Sequence, residues 1–333
     1  MRKSIFFCLL LVYTTLSCSK SVENEIESSE EIKNSFVVGY LPTWRFDLNN
    51  QIDFCKLTHL NLAFANPDSS GKIIMPEIKS VVSNAKSQNP NIIISISLAG
   101  GVLSDEQAKN WSNLIDKPEN VNSLVSNIVE YVIDNNIDGV DVDLEWQNVT
   151  QGYSNFVIRL NSELDKHSKI ITAALPATTR FNNISDEAIA TFDLIHIMAY
   201  DFTGPWNPDN AGQHSSYSHA LQSIDFWINS VGISPSKLTL GLPFYGYDFS
   251  NSSNVTAFTY SSLVGSNKNY ADIDNVGLKF FNGRPTIKTK VKLASERVGG
   301  VMIWELGQDN FGDLSLLKTI LFVPIKTSGD KKP

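Results

Sequence analysis

The chain has 333 residues, 42% of them hydrophobic, and a formal charge of -8. That length suffices for one large domain or two ordinary ones with a substantial core. The acidic balance excludes a general nucleic-acid binder and does not favour anionic membrane surfaces, whereas 10% aromatic residues suit a neutral ligand such as a sugar.

At the N-terminus, Arg2 and Lys3 precede an apolar run from Ile5 to Val12, and small or polar residues lead to Cys18. Residues 1–18 therefore read as a secretory signal, too short for a membrane anchor. Leu16-Ser17-Cys18 is similar to a bacterial lipobox, with Thr15 where an aliphatic residue is usual. Cys18 is the expected lipidation site, which would make an exported outer-membrane or cell-surface lipoprotein; a secreted or periplasmic protein without the lipid is the alternative. Residues 19–35 carry five Glu and no apolar period, the composition of a disordered acidic tether. With Cys8 in the signal and Cys18 at its end, Cys55 is expected to be a buried packing thiol with no disulfide inside the fold.

From Phe36 onward, short β-rich runs alternate with segments of helical spacing. The runs are Val37–Leu41, Leu57–Phe64, Ile92–Ser97, Gly139–Glu145, Ile170–Leu175, Leu194–Ala199, Leu238–Pro243 and Gly300–Trp304. The clearest helix is Glu119–Asn135, where Val121, Leu124, Val125, Ile128, Val129, Val132 and Ile133 recur at steps of three and four. Pro118 precedes it and Asn135-Asn136 close it. Other helices are expected over Pro76–Ser87, Tyr153–Lys166, Tyr217–Val231, Thr286–Arg297 and Leu314–Phe322. Alternation of this kind implies right-handed βαβ units and a parallel sheet. Eight such strands imply a (β/α)8 TIM barrel, class α/β, in a single domain over residues 36–325, with 326–333 as a tail. A dinucleotide-binding sheet is excluded, because Pro42-Thr43-Trp44 follows the first strand in place of G-x-G-x-x-G. Residues 247–298 read as a decorated loop, without a large α+β insertion.

The chemistry concentrates in Asp138–Trp146, DGVDVDLEW. In a strand, Asp141, Asp143 and Glu145 share one face, and Val140, Val142 and Leu144 the other. The aliphatic set is expected against the helices and the acids inside the barrel. Asp is a poor strand former and stacked like charges repel, so a plain solvated edge strand fits badly. Carboxylates this close cannot all ionise cheaply, and at least one pKa must rise. Glu145 falls at the strand's C-terminal end, the active face of such barrels, where a protonated carboxyl can act as general acid. Asp138 has the opposite parity, so its role is expected to be structural. No histidine pair has metal-ligand spacing: His214 and His219 are a weak pair, and His196 reads as a core histidine. No Walker-type phosphate loop occurs.

The motif D-x-x-D-x-D-x-E, filled by Asp138, Asp141, Asp143 and Glu145, resembles the signature of glycoside hydrolase family 18, the chitinases and their relatives. Ser97-Leu98-Ala99-Gly100-Gly101 resembles the family's S-x-[GA]-G motif, and Met198-Ala199-Tyr200-Asp201 its M-x-Y-D motif. Trp304 falls where the family floors its sugar subsite, and Tyr40 and Phe64 at its usual aromatic positions. The resemblance implies retaining, substrate-assisted hydrolysis next to N-acetylglucosamine, through an oxazolinium ion. It implies catalytic roles for Glu145, Asp143, Asp141 and Tyr200, with a proton shared between Asp141 and Asp143. Substrate contacts are expected from Asp201, Trp304, Tyr40, Phe64, Trp146, Trp206 and Met198. Structural roles are expected for Asp138, for Ser97 as a partner of Asp141, and for Gly100 and Gly101 in a tight turn. Phe244 and Tyr245 are further subsite candidates, while Trp44 and Trp111 stay unassigned. The expected partner is a chitin-like oligo- or polysaccharide, with no cofactor, no metal, no nucleic acid, and membrane contact only through an N-terminal lipid on a monomer. An endo-β-N-acetylglucosaminidase acting on N-glycans and a non-catalytic chitinase-like lectin are the alternatives.

Overall fold

A computed structural model describes residues 35–320. The expected signal, the lipidation site at Cys18, the tether before Ser35 and the tail 326–333 lie outside the described residues. Eight parallel strands form the frame: β1 Phe36–Pro42, β2 His59–Pro67, β3 Ile93–Ala99, β4 Gly139–Asp143, β5 Ile170–Pro176, β6 Leu194–Met198, β7 Leu238–Pro243 and β8 Gly300–Trp304. Each pairs with its sequence neighbour, and β1 also pairs with β8 (Phe36 opposite Gly300), which closes the ring. The expected (β/α)8 barrel is the fold.

The pleat divides the side chains as the alternation requires. Outward-facing Leu62, Ile94, Ile96, Val140, Val142, Ile195, Ile197 and Leu240 are all fully buried in one apolar layer between strands and helices. At about 1.5–3 kcal/mol per fully buried large aliphatic, this layer is the main source of stability. The inside of the barrel is different. A small apolar group, Val38, Tyr40, Ala63 and Met302, sits among buried polar residues that include Asn61, Ser97, Asp141, Thr172, His196 and Thr239.

The outer layer comprises α1 Lys79–Gln88, α2 Asp105–Ile115, α3 Pro118–Asp134, α4 Tyr153–Asp165, α5 Asp186–Thr191, α6 Tyr217–Asp225, α7 Tyr260–Ser266 and α8 Arg284–Arg297. Pro at the first position and a buried face of Val121, Leu124, Val125, Ile128, Val129 and Val132 account for α3. Periodicity alone misses α2, but its capping box is in the sequence: Ser104 accepts from the Gln107 N–H, and the Gln107 side chain returns to the Ser104 N–H. This helix also buries Trp111, whose Nε1 donates to Asn66 Oδ1 at 2.7 Å.

Three expectations need correction. Where a helix is expected over Leu314–Phe322, the described residues up to Ile320 form only a short 3-10 turn, Leu317–Thr319; the buried Asp309 carboxylate accepts the N–H groups of Leu316 and Leu317 and fixes that stretch as a turn. The span between β7 and β8 is more than a loop. Tyr245–Asp248, Thr256–Thr259, Asn275–Val276 and Lys279–Phe280 form a four-stranded antiparallel sheet. Tyr260, Leu263, Val264 and Phe281 of this region belong to the main core, so the molecule remains one domain. Cys55 is exposed, not a buried packing thiol.

Asp138 sits just before β4, at its N-terminal end and away from the cleft. It accepts the Ile94 N–H at 2.9 Å and lies 3.3 Å from the Lys86 ammonium. Replacing it with Ala removes a half-exposed acceptor that joins β3 to β4. Asp138→Ala should lower unfolding stability in urea by about 1 kcal/mol without changing the shape of the cleft at the other end of the barrel.

Candidate active site

The acids of β4 form a graded file from the barrel floor to its mouth. Asp141 is fully buried at the floor. Its Oδ2 accepts from Tyr40 OH and Ser97 Oγ, and its Oδ1 from Thr172 Oγ1, each at 2.7 Å. Burial raises its pKa, and these three hydroxyls oppose the rise. The Ser97 bond is the one expected. His196 lies nearby, its Nε2 3.7 Å from Asp141 Oδ1. Burial pushes its pKa down to about 3, which keeps the ring neutral, and its Nδ1 pairs with Thr239 Oγ1 at 2.8 Å.

Asp143 is the next step up, 4% exposed, and its Oδ1 has no hydrogen-bond partner. Burial, then the charge of Glu145, then that of Asp141 hold its pKa well above the usual carboxylate range. No hydrogen bond joins the Asp141 and Asp143 carboxyls in the structure. The floor carboxylate is occupied by hydroxyls, and the dominant charge partner of Asp143 is Glu145.

Glu145 stands two residues beyond the end of β4, half-buried at the mouth. Burial, assisted by the charge of Asp201, pushes its pKa up to about 7. A carboxyl that titrates there can give and take a proton near neutrality. Gly101 makes room for it: a Cβ at that position would stand 2.5 Å from Glu145 Oε1. Gly100, at φ +97°, gives similar room to the Phe64 ring, and its N–H donates to the Asp143 carbonyl at 2.9 Å. The two glycines thus do more than turn the chain; they let a ring and a carboxyl close on the backbone.

Backbone strain gathers at the same place. Of five non-glycine residues with positive φ among the described residues, Ala99, Trp146 and Asp201 lie at the ends of β3, β4 and β6 around the mouth. Such conformations cost about 1–3 kcal/mol each, and here they aim the residues beside them into the cleft. Tyr200 faces the interior, its hydroxyl 3.9 Å from Met302 Sδ. Burial and the surrounding carboxylates drive its pKa far up, so it remains a proton donor. Asp201 Oδ1 accepts from Tyr245 OH at 2.5 Å and Tyr247 OH at 3.0 Å.

Aromatic rings wall the cleft in separate groups. Trp304 stacks on Phe64 at 5.6 Å and 24°, and meets Tyr40 edge-on at 5.7 Å. Buried Glu305, next to Trp304, is held by Arg45 Nε at 3.2 Å and by the Gly307 N–H at 2.7 Å, which fixes the strand end carrying the indole. Trp146 packs on Phe181, and Trp206 on Tyr247. The cleft has a volume of about 940 Å³, and Tyr40, Phe64, Asp143, Glu145, Trp146, Met198, Tyr200, Asp201, Trp206 and Trp304 all line it. Asp141 and Ser97 lie beneath it and Asp138 at the far end of β4; none of the three lines it. Of the two further candidates, Tyr245 lines the cleft and Phe244 is core. Trp44, more than half exposed, also lines it. Its sequence signal was its place just after the first strand. No sequence signal marked Val102, Thr178, Thr179 or Phe202, which complete the rim.

No group of three or more His, Cys, Asp or Glu residues is arranged to hold a metal among the described residues. The weak pair separates: His214 points at Asp201, and His219 caps α6 and stacks on Phe202 at 3.8 Å.

The family model for glycosyl hydrolases family 18 matches residues 36–309. The chain belongs to that family. It is 53% identical to the GH18 chitinase ChiB from the chitin utilization locus of Flavobacterium johnsoniae, with a TM-score of 0.85 over 86% of this chain and 93% of that one. A chitinase from Bacteroides thetaiotaomicron matches at 30% identity and a TM-score of 0.75, covering 86% and 96%. The class V chitinase of Arabidopsis thaliana is 22% identical over 91% of each chain. The family-18 motif of this chain therefore has a definite spatial meaning: Asp138 ties two strands at the barrel's base, Asp141 is its saturated floor, Asp143 an underbonded middle, and Glu145 the accessible end.

The Glu145 environment makes a stability prediction with a fixed sign. Its pKa is higher in the fold than in the unfolded chain, so its favourable contribution is complete below the unfolded value and is lost as pH rises through about 7. Glu145→Gln carries no such penalty. The melting temperature of Glu145→Gln relative to wild type should rise as pH goes from ~4 to ~8; a gap independent of pH would show that the carboxyl is not perturbed.

Proposed function

We propose that the protein is an endo-acting glycosidase that hydrolyses β-1,4 bonds next to N-acetylglucosamine in chitin or chito-oligosaccharides, with retention of anomeric configuration. The observation that carries this reading is the buried Asp143 Oδ1 without a partner, directly below Glu145. A buried acceptor left unpaired costs about 1–3 kcal/mol, and the N–H of a 2-acetamido group is a donor of the right kind. A sugar bound that way brings its own nucleophile.

In the proposed reaction the acetamido carbonyl oxygen attacks the anomeric carbon while the glycosidic C–O bond breaks. Glu145 delivers its proton to the leaving oxygen. Asp143 accepts the acetamido N–H at its unpaired Oδ1 and holds the group in place beside the forming oxazolinium ion. Tyr200 donates to the acetamido carbonyl and holds it in line. Glu145, now ionised, takes a proton from water, which opens the ring from the same face. Asp141, saturated at the floor, fixes the electrostatic background of Asp143. Trp304 floors the sugar at the scissile bond, and Trp44, Trp146 and Trp206, each 58–59% exposed, offer stacking faces for further units. The three separate ring groups support an oligomeric substrate, and so does the likeness to the Flavobacterium and Bacteroides chitinases. The presence of Glu145 argues against a pure lectin. Export, with a lipid on Cys18 or by secretion, completes the proposal; metabolic labelling with a fatty acid would be lost in Cys18→Ala if the lipid is present.

Incubating the protein separately with chitin oligomers and with a high-mannose glycopeptide decides the substrate. Cleavage of the oligomers alone is expected, and Glu145→Gln should lose turnover by about three orders of magnitude while still binding them. Cleavage of the glycopeptide alone would select an endo-β-N-acetylglucosaminidase, and cleavage of neither a lectin. The rate should fall as pH rises through about 7, where Glu145 loses its proton.

A further inference from the structure

The support behind Asp201 continues well beyond the cleft. His214, fully buried, sets Nδ1 3.2 Å from Asp201 Oδ1 and 3.4 Å from the Asp201 N–H. Its Nε2 faces the Tyr245 carbonyl at 3.3 Å, so that nitrogen carries a proton. The imidazole Nδ1 thus sits within reach of both the backbone N–H and the carboxylate of residue 201.

Directly behind His214 lies Lys290, on α8 and fully buried. It forms no ion pair among the described residues. Its ammonium instead donates to the Ser215 carbonyl at 2.5 Å, to Ser215 Oγ at 2.7 Å and to Asn282 Oδ1 at 2.7 Å. Three N–H groups meet three acceptors, so the ammonium is saturated. Asn282 Nδ2 returns to the Ser215 carbonyl at 2.9 Å. Burying a lysine this way is costly, and desolvation lowers its pKa to about 7. A well-packed apolar side chain of similar volume would commonly be neutral or stabilising in its place. The cost calls for a reason other than stability.

The bonds that leave this knot show what it holds. Ser215 Oγ donates to the Ala199 carbonyl at 2.7 Å, and the Phe202 N–H donates to the His214 carbonyl at 3.0 Å. These two contacts bracket Tyr200 and Asp201 from both sides, one residue before the pair and one after. Asp201 needs such support, since its φ is +62°. We propose that Lys290 is a positioning residue for catalysis: through Ser215 and His214 it clamps the Tyr200-Asp201 turn at the end of β6 and so keeps the phenol and the carboxylate aimed into the cleft. None of Lys290, Ser215 and Asn282 lines the cleft. The proposal rests on the reading of the site given above, and it adds a device that the sequence motifs do not contain.

Lys290→Met and Ser215→Ala test it, measured as folded proteins on N-acetylchitotetraose across a pH series. The expected result is a fall in kcat of about tenfold or more with KM changed less than about threefold. The basic limb of the rate profile should also move to lower pH, because the Asp201 charge that raises the Glu145 pKa no longer sits in place. An unchanged kcat in either folded variant, a loss carried by KM, or a lower kcat with an unmoved limb would overturn the proposal. If Lys290→Met does not fold, Ser215→Ala, which removes a single oxygen, decides alone. A wild-type protein that leaves the tetramer intact would sink the functional reading and this inference with it; an active wild type with unaffected variants sinks this inference only.

Discussion

Burying charge is the constraint on which the site depends. One strand places three carboxyls in file inside a barrel with little water, where like charges repel strongly and desolvation favours the neutral form. The structure answers differently at each level. Asp141 is stabilised by three hydroxyls from β1, β3 and β5. Asp143 receives none and is pushed toward its protonated state. Glu145 reaches the mouth, where partial access to solvent leaves it poised near neutral pH. The gradient in burial along one strand, rather than any single residue, gives its three acids different proton affinities.

Much of this was legible in the sequence because strand pleat and strand polarity are rigid rules. Alternation in DGVDVDLEW fixed which side chains point inward, and the barrel's active face fixed Glu145 as the end of the file. The partnership of Ser97 with Asp141 came instead from the resemblance to the family's motifs, and the structure has that bond. What the sequence concealed depends on distant pairings. A proton between Asp141 and Asp143 looked reasonable from their spacing. Tyr40, 101 residues away, and Thr172, 31 residues away, supply hydroxyls that stabilise the floor carboxyl, and neither pairing shows in the spacing. Lys290 gave no signal, since one lysine on a helix usually points to solvent. The small sheet between β7 and β8 was hidden for another reason: its strands are two to four residues long, below the length at which alternation can be seen.

That sheet has a larger part than its size suggests. Tyr245 and Tyr247, two residues apart on one strand, point the same way, and both hydroxyls reach Asp201. The ring of Tyr247 also abuts Trp206. One short strand thus sets an aromatic wall and a carboxylate together, so a shift of the insertion relative to the barrel would disturb the cleft's rings and its electrostatics at once. The residues with strained backbone each meet a partner from another element: the Ala99 carbonyl accepts from Asn66 Nδ2, Trp146 packs on Phe181, and Asp201 accepts from the two tyrosines.

The polarity of the strands has a further consequence. β1 begins at Phe36 on the pole of the barrel opposite the cleft, and every barrel strand runs in that same direction. The point where the described chain enters the barrel and the cleft therefore lie at opposite poles, so the turns that close the base and the residues that wall the mouth make up two separate surfaces.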